Sequence, residues 1–378
     1  MVRFIMALRQ YLKLLMEERT SLTRVQSRDL LRAVLDPGLQ RGSLVRTAPG
    51  SPTDELQILH EEHKIHHQLA AVLGALTARG ETADELAGFV DAMRESATTL
   101  PLNAAEKSEL VDTCGTGGDG ADTFNISTAA ALVAAAAGAK VAKHGNRAVT
   151  SKSGSADVLE ALGIPVDLSP LAAAQAIRTH GFAYLHAPTM HTAMQAVMHI
   201  RRDLGVRTAF NLLGPLTNPA GAQAQIMGVY ASDRVAIVAE TMLLLGTRHA
   251  FVVHGFIDAT QTQGMDELSI SGPSLVAEVR NGRVTHHKIT PEEFGLERAP
   301  ISMLRGGDAL ANAAILQAIF AGKPGPARDV VTLNAAAVLV TANRAADLSE
   351  GIRLAQRTID SGSVLMLIEA LNNRAERL

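Results

Sequence analysis

The chain contains 378 residues, of which 47% are hydrophobic, so it is long and apolar enough to form about two domains. Its 35 basic and 38 acidic side chains leave a net charge of −3, which does not indicate a general affinity for nucleic acid or anionic lipid. The single cysteine, Cys114, excludes an internal disulfide and a cysteine-rich metal site.

The first eighteen residues are apolar, but Arg3, Arg9 and Lys13 interrupt them, so we expect neither a signal sequence nor a membrane span there. Together with the cysteine content, this pattern predicts a cytoplasmic protein that has no membrane or nucleic-acid partner.

Residues up to about Leu100 have a helical pattern, in which apolar residues recur at spacings of three and four. The first predicted helix contains Leu8, Leu12 and Leu15, and the second covers 27–35, with Ser27 as its cap and Pro37 and Gly38 after its end. A third helix is predicted at 68–77. A fourth is predicted to begin at the capping box Thr82–Glu85.

Between these segments, residues 40–67 are polar and rich in Gly, Pro, Ser and His, so we interpret them as an insertion. The sequence therefore predicts a helical domain over residues 1–106 and a second domain over 107–378.

From Pro101 onward, short apolar runs alternate with helical segments, which predicts an α/β domain with a mostly parallel central sheet. The predicted strands include 110–112, 140–142 and 250–253, and the predicted helices include 334–343 and 363–376. Ligands of such sheets bind at the carboxyl ends of the strands. Functional residues are therefore expected directly after the predicted strands.

The first such segment, at 112–120, reads DTCGTGGDG, and TFNIST (123–128) and an alanine-rich helix at 129–137 follow it. Glycines allow main-chain N–H groups to surround an anion, and a helix N-terminus adds partial positive charge, so we predict a phosphate site. Asn125, Ser127 and Thr128 are suited either to capping this helix or to binding an oxygen ligand.

The second segment reads KHGNR (143–147), continues to SKSGS (151–155), and precedes a helix from Ala156 to Gly163. Its cations, glycines and hydroxyls predict a second anion site at a helix N-terminus. The individual cations, Lys152 among them, could equally be solvated loop residues.

Two further groups of residues are chemically suggestive. The adjacent carboxylates Asp266 and Glu267 are suited to Mg²⁺, although acidic neighbours are commonly surface residues. Arg201 and Arg207 are candidates for binding a carboxylate through two hydrogen bonds, although either could instead pair with Asp203.

In this order the motifs closely resemble those of the anthranilate phosphoribosyltransferase family of tryptophan biosynthesis. The matching motifs are GTGGD (115–119), NIST (125–128), KHGNR (143–147), GSAD (154–157), HxAM (191–194), RTAFNLLGPLTNP (207–219) and MDELS (265–269). The likeness extends from about Leu12 to Leu371, apart from the insertion at 40–67 and a longer loop at 256–264.

The resemblance implies a small helical domain, completed by helices at about 190–212, and a large α/β domain of the nucleoside phosphorylase and phosphoribosyltransferase type. It also implies a homodimer that forms through the helical domain. The implied reaction transfers the phosphoribosyl group of phosphoribosyl pyrophosphate to the amine of anthranilate and releases pyrophosphate, with two Mg²⁺ ions per active site.

Carried over by position, the resemblance implies three groups of site residues. Phosphoribosyl pyrophosphate is expected at Gly115, Gly118, Asp119, Thr123, Asn125, Ile126, Ser127, Thr128, Lys143, His144, Gly145, Asn146, Arg147, Ser151 and Ser155. Anthranilate is expected at Gly115, His144, Asn146, His191, Arg201 and Pro215. The expected metal ligands are Ser127, Asp266 and Glu267, with Asp258 in the longer loop as an alternative.

The aryl amine of anthranilate is neutral at pH 7, so no essential base, nucleophile or covalent intermediate is expected, and Cys114 is interpreted as a loop residue without a catalytic role. Two other functions are compatible with this architecture: a pyrimidine nucleoside phosphorylase, and a nucleic-acid-binding relative that has lost catalysis. The KHGNR motif disfavours the first, and the near-neutral charge disfavours the second.

Overall fold

The computed structural model describes residues 8–35, 52–148, 152–258 and 260–375. These residues form two compact units, one within 1–97 and 191–217 and the other within 98–190 and 218–378. Among the described residues, no helix is both long enough and apolar enough to span a membrane.

The helices are α1 (Arg24–Leu35), α2 (Pro52–Arg79), α3 (Ala83–Ser96), α4 (Ala104–Glu109), α5 (Ile126–Ala136), α6 (Ser155–Ala161), α7 (Pro170–His180), α8 (Ala187–Met190), α9 (Gln195–Leu204), α10 (Phe210–Leu216), α11 (Arg234–Leu244), α12 (Ala309–Phe320), α13 (Pro326–Thr341), α14 (Leu348–Asp360) and α15 (Ser363–Ala375). A π-helix occupies Lys13–Glu17, and 3-10 helices occupy Thr192–Met194, Pro291–Phe294 and Ile301–Leu304. The strands are β1 (Leu110–Gly115), β2 (Lys140–Gly145), β3 (Phe182–His186), β4 (Ala224–Gly228), β5 (His249–Phe256), β6 (Gly264–Met265), β7 (Ser274–Arg280) and β8 (Arg283–Ile289).

The first unit is helical, as predicted, and includes α9 and α10 from the middle of the chain. The capping box at the start of α3 is confirmed: the Thr82 hydroxyl accepts the Glu85 N–H, and the Glu85 carboxylate accepts the Thr82 N–H. Glu85 is fully buried and also accepts the Leu22 N–H at 2.8 Å, so the capping residue links α3 to the chain before α1.

The predicted start of α1 is wrong, because the helix begins at Arg24 and Ser27 lies inside it, fully buried. Thr23 caps this helix: its hydroxyl accepts the Gln26 N–H at 3.2 Å, and the Gln26 side chain accepts the Thr23 N–H at 2.9 Å. Both Thr23 and Ser27 are residue types that favour caps, and the reciprocal bond to Gln26 distinguishes them.

The predicted start of the third helix at Gln68 is also wrong, because residues 52–67 belong to α2, which continues without interruption to Arg79. Its first turn contains Pro52, Asp54 and Glu55, which are residue types that favour a helix N-terminus. Residues 40–51 of the predicted insertion, and the predicted stop signals Pro37 and Gly38 before it, lie outside the described residues.

The second unit is built on a mostly parallel sheet, as predicted, with the strand order β3-β2-β1-β4-β5-β7-β8 among the described residues. The first five of these strands are parallel to their neighbours, whereas β7 and β8 are antiparallel, and β6 pairs with the end of β5. The carboxyl ends of β1, β2 and β4 therefore lie at one edge of the sheet, where the glycine-rich segments begin.

The alanines of α5 explain how this helix approaches the sheet and α13 closely. Residues 129–134 of α5 are fully buried, and residues 335–339 of α13 are equally buried. Because alanine and valine side chains are short, the backbones pack closely and the loop before α5 is held firmly. Both helices begin earlier than predicted, at Ile126 and Pro326, because their first turns are more polar than the alanine runs.

Candidate active site

The carboxyl ends of β1 and β4 lie side by side, with Gly115 opposite Gly228, and the acidic pair crosses directly over them. A Cβ atom on Gly115 would lie 2.2 Å from an oxygen of the Asp266 side chain, and one on Gly228 would lie 1.5 Å from the Asp266 main-chain oxygen. Only glycine leaves room for Asp266 at these two positions.

The glycine-rich loop after β1 curls around the Asp266 side chain. The Gly117 N–H donates to Asp266 Oδ2 at 2.7 Å, and the Asp266 N–H donates to Asp119 Oδ2 at 3.1 Å. The loop turns through left-handed backbone conformations at Gly117, Gly118 and Gly120, with φ values of 69°, 73° and 76°. Asp119 therefore joins the loop to the acidic pair within this structure.

Glu267 contacts the start of α5 on the other side. Its carboxylate is 8% exposed and accepts the Ser127 N–H at 3.0 Å. Burial raises the pKa of Glu267 to about 8, with the charge of Asp266 as the next cause. Burial also raises the pKa of Asp266 to about 7, with the charge of Asp119 adding to the effect. Because three carboxylates lie close together, binding of a cation would stabilise their charged forms.

The oxygen donors of this cluster fit Mg²⁺, which prefers carboxylate, hydroxyl, water and phosphate oxygens. Ser127, Asp266 and Glu267 could supply such donors. Among the described residues, no group of three or more His, Cys, Asp and Glu side chains is arranged to hold a metal ion alone. An ion at this position would consequently depend on water and on ligand phosphates to complete its coordination.

Lys143 lies beneath the loop and is only 2% exposed. Its ammonium group donates to the Thr113 main-chain oxygen at 2.6 Å and to the Ser127 hydroxyl at 3.3 Å. Burial lowers the pKa of Lys143, and the negative charges of Asp112, Glu267 and Asp266 oppose that shift. The lysine therefore orients the Ser127 hydroxyl and offsets part of the carboxylate charge.

The polar residues at the start of α5 do not cap it. Asn125 occupies the capping position without a side-chain bond to the helix, and its side chain instead contacts Asn312 and the Ser153 main-chain oxygen. Thr128 is 1% exposed. The side chain of Ile126 is likewise buried, so this residue could contact a ligand only through its main chain.

The loop after the glycines rests on the segment that leads to α12. Thr123 forms an isolated β-bridge with Arg305, and the Phe124 N–H donates to the Leu304 main-chain oxygen at 3.0 Å. This support was not predicted from the sequence, because Arg305 is distant in the chain and belongs to no matching motif.

In the second segment, Arg147 is ion-paired, although its side chain is 42% exposed. Its guanidinium contacts Glu160 at 2.5 and 2.7 Å and Asp157 at 3.3 Å. Asp157 also accepts the N–H groups of Ala148 and Gly154, at 3.0 and 2.8 Å, and so brings together the two ends of the loop. The predicted site residue Ser151 lies within this loop but outside the described residues.

The other residues of this segment lie close to the sheet. The main-chain N–H of His144 donates to Asp112 Oδ1 at 3.1 Å, and His144 is 4% exposed. The Ser155 hydroxyl bonds to the Asn146 main-chain oxygen at 3.3 Å and to the Tyr184 hydroxyl at 3.0 Å. A Cβ atom on Gly145 would lie 2.4 Å from the Ser155 hydroxyl, which explains the glycine.

The predicted anthranilate residues divide between the two units, with His191, Arg201 and Pro215 in the first. Arg201 is partly buried on α9: it stacks 5.4 Å from the Phe210 ring centroid, and burial lowers its pKa. Among the described residues it forms no ion pair, so the alternative pairing with Asp203 is not observed for Arg201. His191 is buried and bonds to the Thr217 main-chain oxygen at 3.0 Å.

Gly115, His144 and Asn146, the other predicted anthranilate residues, belong to the second unit. Asn146 accepts the Arg147 N–H at 2.8 Å through its side-chain oxygen. This contact fixes the direction of the Asn146 carboxamide at the carboxyl end of β2.

The longer loop at 256–264 connects β5 and β6 as a hairpin, so Asp266 follows directly after β6. Asp258 is not placed as a metal ligand, because its carboxylate accepts the N–H groups of Thr262 and Gln263, at 3.0 and 2.9 Å, within its own loop. The carboxylate also accepts the Thr260 hydroxyl, and these bonds hold its pKa well below the usual range.

Cys114 is a strand residue rather than a loop residue as predicted, since β1 continues to Gly115. Its sulfur is buried and accepts a hydrogen bond from Gln225 at 3.2 Å. Burial raises the pKa of this thiol well above its usual value, so the thiolate is disfavoured and the expected lack of a catalytic role is consistent with the structure.

Sequence reasoning missed several residues that position the site, among them Gly228 and Asn334. Asn334 is 2% exposed in α13, where it accepts the Leu268 N–H at 3.0 Å and donates to the Leu268 oxygen at 2.9 Å. It thereby holds the backbone directly after Glu267. A lone asparagine beside the alanines of a buried helix was the available signal.

Comparisons with known proteins agree with this architecture. Residues 9–97 match a family model described as "Glycosyl transferase family, helical bundle domain", and residues 107–365 match one described as "Glycosyl transferase family, a/b domain". The anthranilate phosphoribosyltransferase of Symbiobacterium thermophilum is 50% identical over 82% of this chain and 89% of its own length. That of Solibacter usitatus is 50% identical over 84% of this chain and 91% of its own.

Solved structures are similar over nearly the whole chain. The anthranilate phosphoribosyltransferase of Thermus thermophilus has a TM-score of 0.81 and 38% identity, covering 97% of this chain and 98% of its own. The enzyme from Saccharomyces cerevisiae in complex with phosphoribosyl pyrophosphate and Mg has a TM-score of 0.83 and 28% identity, covering 98% of each chain. The same yeast enzyme has also been solved with 4-fluoroanthranilate.

Proposed function

Because the chain belongs to the anthranilate phosphoribosyltransferase family, we propose that it transfers the phosphoribosyl group of phosphoribosyl pyrophosphate to the amine of anthranilate. Pyrophosphate is released, and the reaction is a step of tryptophan biosynthesis. The Saccharomyces cerevisiae enzyme has been solved with phosphoribosyl pyrophosphate and Mg and with 4-fluoroanthranilate, which supports the same substrates for this chain.

One observation carries the proposal: the acidic pair lies between the glycine-rich loop and the start of α5. Asp266 contacts Gly117, and Glu267 contacts Ser127. Main-chain N–H groups that bind phosphate and carboxylates that bind a divalent ion are thus adjacent, which is the arrangement that a magnesium-bound diphosphate requires.

In the proposed site, the loop from Gly115 to Asp119 and the second loop from Lys143 to Ser155 hold phosphoribosyl pyrophosphate. Ser127, Asp266 and Glu267 would hold Mg²⁺, of which we propose two ions per site. When bound, Mg²⁺ stabilises negative charge on the departing pyrophosphate. The main-chain N–H groups of the loop and the N-terminus of α5 act on the same charge.

Anthranilate has a carboxylate, which the protein must bind, and a neutral amine, which it must orient. We assign the carboxylate to Arg201, whose guanidinium has no acidic partner among the described residues and offers two parallel donors. The amine already carries a lone pair at pH 7, so the protein has only to orient it towards C1 of the ribose. No nucleophilic side chain and no strong base is assigned.

A direct assay tests the proposal. Purified protein is mixed with anthranilate, phosphoribosyl pyrophosphate and Mg²⁺, and the loss of anthranilate fluorescence is followed together with pyrophosphate release. We expect both to proceed at equal rates. Unchanged fluorescence with folded protein would reject the proposal, and phosphorolysis of thymidine or uridine in a parallel assay would favour a nucleoside phosphorylase instead.

We also propose that the enzyme is a cytoplasmic homodimer that forms through the helical unit. Support comes from large apolar side chains of that unit that are exposed to solvent in the single chain: Met16, Val25 and Val206 are 59%, 57% and 59% exposed. Light scattering of the purified protein at several concentrations tests the dimer, and a mass of one chain at all of them would reject it.

A further inference from the structure

A buried asparagine from a distant helix connects to the start of α5. Asn312 lies in the first turn of α12 and is 2% exposed. Its side-chain oxygen accepts the Gly307 N–H at 2.7 Å, and its side-chain nitrogen donates to the side-chain oxygen of Asn125 at 2.8 Å. These two bonds join the segment before α12 to the residue that precedes α5.

The chain of hydrogen bonds continues to the second phosphate loop. The Asn125 side-chain nitrogen donates to the main-chain oxygen of Ser153 at 3.3 Å. One series of two carboxamides therefore connects three segments that are far apart in the sequence, around Gly307, Asn125 and Ser153. Ser153 belongs to the second loop assigned to phosphoribosyl pyrophosphate, and Asn125 directly precedes α5, whose N-terminus is assigned to the same ligand.

The orientation of both carboxamides is fixed by the main-chain groups of Gly307 and Ser153 at the two ends of this series. A main-chain N–H can only donate, so the Asn312 oxygen must face Gly307 and its nitrogen must face Asn125. The Asn125 oxygen is then engaged, and its nitrogen faces a main-chain oxygen, which can only accept. Reversing either carboxamide would place donor against donor or acceptor against acceptor. The two side chains are thus held in one orientation.

We propose that Asn312 is a positioning residue for phosphoribosyl pyrophosphate, because it fixes Asn125 and with it the spacing between the start of α5 and the second phosphate loop. Ser127 lies two residues after Asn125 and contacts Glu267, so a shift of Asn125 would also displace the metal-binding oxygens. The inference rests on the proposed function.

Steady-state kinetics of Asn312→Ala, Asn125→Ala and the double variant test the inference. We expect each single variant to raise the KM for phosphoribosyl pyrophosphate by about tenfold or more, as for loss of a buried hydrogen bond. The KM for anthranilate should change much less. Because both residues act in one series, the double variant should be no worse than the worse of the two single variants.

Two further variants separate positioning from general stability. Asn312→Asp keeps an acceptor for Gly307 but places a carboxylate oxygen against the Asn125 oxygen, so it should raise the KM for phosphoribosyl pyrophosphate at least as much as Asn312→Ala. Asn372→Ala is the matched control, since Asn372 donates to the Leu162 oxygen at 3.1 Å and has no hydrogen bond to the described residues of either loop. Its KM for phosphoribosyl pyrophosphate should equal that of the wild type.

The outcomes distinguish this inference from the proposed function. An inactive wild type would reject the function itself. An active wild type with an unchanged KM for phosphoribosyl pyrophosphate in Asn312→Ala would overturn the inference, whatever the melting temperature. If Asn312→Ala fails to fold, Asn312→Asp decides in the same way. Additive effects in the double variant would show that the two residues act independently and would also overturn it.

Discussion

The carboxylate of Asp266 accepts the main-chain N–H of Gly117 at 2.7 Å, although the two residues are 149 positions apart in the chain. This contact brings the end of a β-hairpin onto a glycine-rich turn, so a residue proposed to bind a cation lies next to a loop proposed to bind phosphate. A phosphate and a divalent ion can therefore be bound together there.

The acidic pair should control the metal dependence of turnover. We predict that Asp266→Ala combined with Glu267→Ala lowers kcat by about a hundredfold or more at limiting Mg²⁺, because a preorganised stabiliser of developing charge is lost. Single variants Asp266→Asn and Glu267→Gln should recover partly as Mg²⁺ is raised. Initial rates measured over a range of Mg²⁺ concentrations check this, and indifference of the double variant would place the metal elsewhere.

Gly228 is predicted to be intolerant of any side chain. In Gly228→Ala the new Cβ atom would lie 1.5 Å from the Asp266 main-chain oxygen, so the acidic pair must move or β4 must shift. We expect lower activity together with a lower melting temperature. Gly74→Ala is the control: it lies in α2 with no atom within 4 Å of the new Cβ, so the melting temperature should stay the same or rise slightly.

Arg201 should determine the affinity for anthranilate. We predict that Arg201→Ala raises the KM for anthranilate by about 10- to 150-fold, or roughly 1.5–3 kcal/mol for a charged hydrogen bond, and leaves the KM for phosphoribosyl pyrophosphate nearly unchanged. Arg202→Ala, an exposed neighbour on α9, is the control. If Arg201→Ala has a normal KM for anthranilate, Arg207 or another group binds the carboxylate.

The raised pKa of Asp112 should make the stability of the protein depend on pH. Burial raises its pKa to about 6, and the nearby Lys143 and the His144 N–H only partly oppose this. A carboxyl whose pKa is higher in the folded than in the unfolded protein stabilises the fold while it is protonated, and this contribution is lost as the pH rises through the folded pKa.

Compared with Asp112→Asn, the wild type should therefore lose about 2 kcal/mol of unfolding free energy between pH 4 and pH 6.5. Urea denaturation of both proteins at a series of pH values measures the difference. A difference that stays constant across this range would mean that Asp112 is ionised in the folded protein at pH 4.

The parts of the fold that follow from local sequence were predictable. Strand β1, the glycine turn after it and the alanine-rich α5 each have a composition typical of the structure that they form. The Thr82 capping box identified the start of α3. Where two local signals competed, prediction failed. Thr23 and Ser27 are both good caps, and the polar composition of 52–67 concealed a helix.

The parts that depend on distant contacts were not predictable. Asn312 contacts Asn125 across 187 residues, and Gly228 is required only because Asp266 crosses it. Neither residue has a neighbour in the sequence that reveals its role. Arg147 illustrates the opposite difficulty, since its charge suggested a ligand contact whereas in the structure it pairs with Glu160. Its predicted role in binding phosphoribosyl pyrophosphate stays a prediction.

The most direct test of the account is a crystal structure of this protein with phosphoribosyl pyrophosphate and Mg²⁺. We predict that the pyrophosphate contacts the glycine-rich loop at residues 116–120 and that a metal ion lies on the oxygens of Asp266 and Glu267. A ligand bound away from the glycine-rich loop, or one bound there with no ion on these two carboxylates, would contradict the central claim.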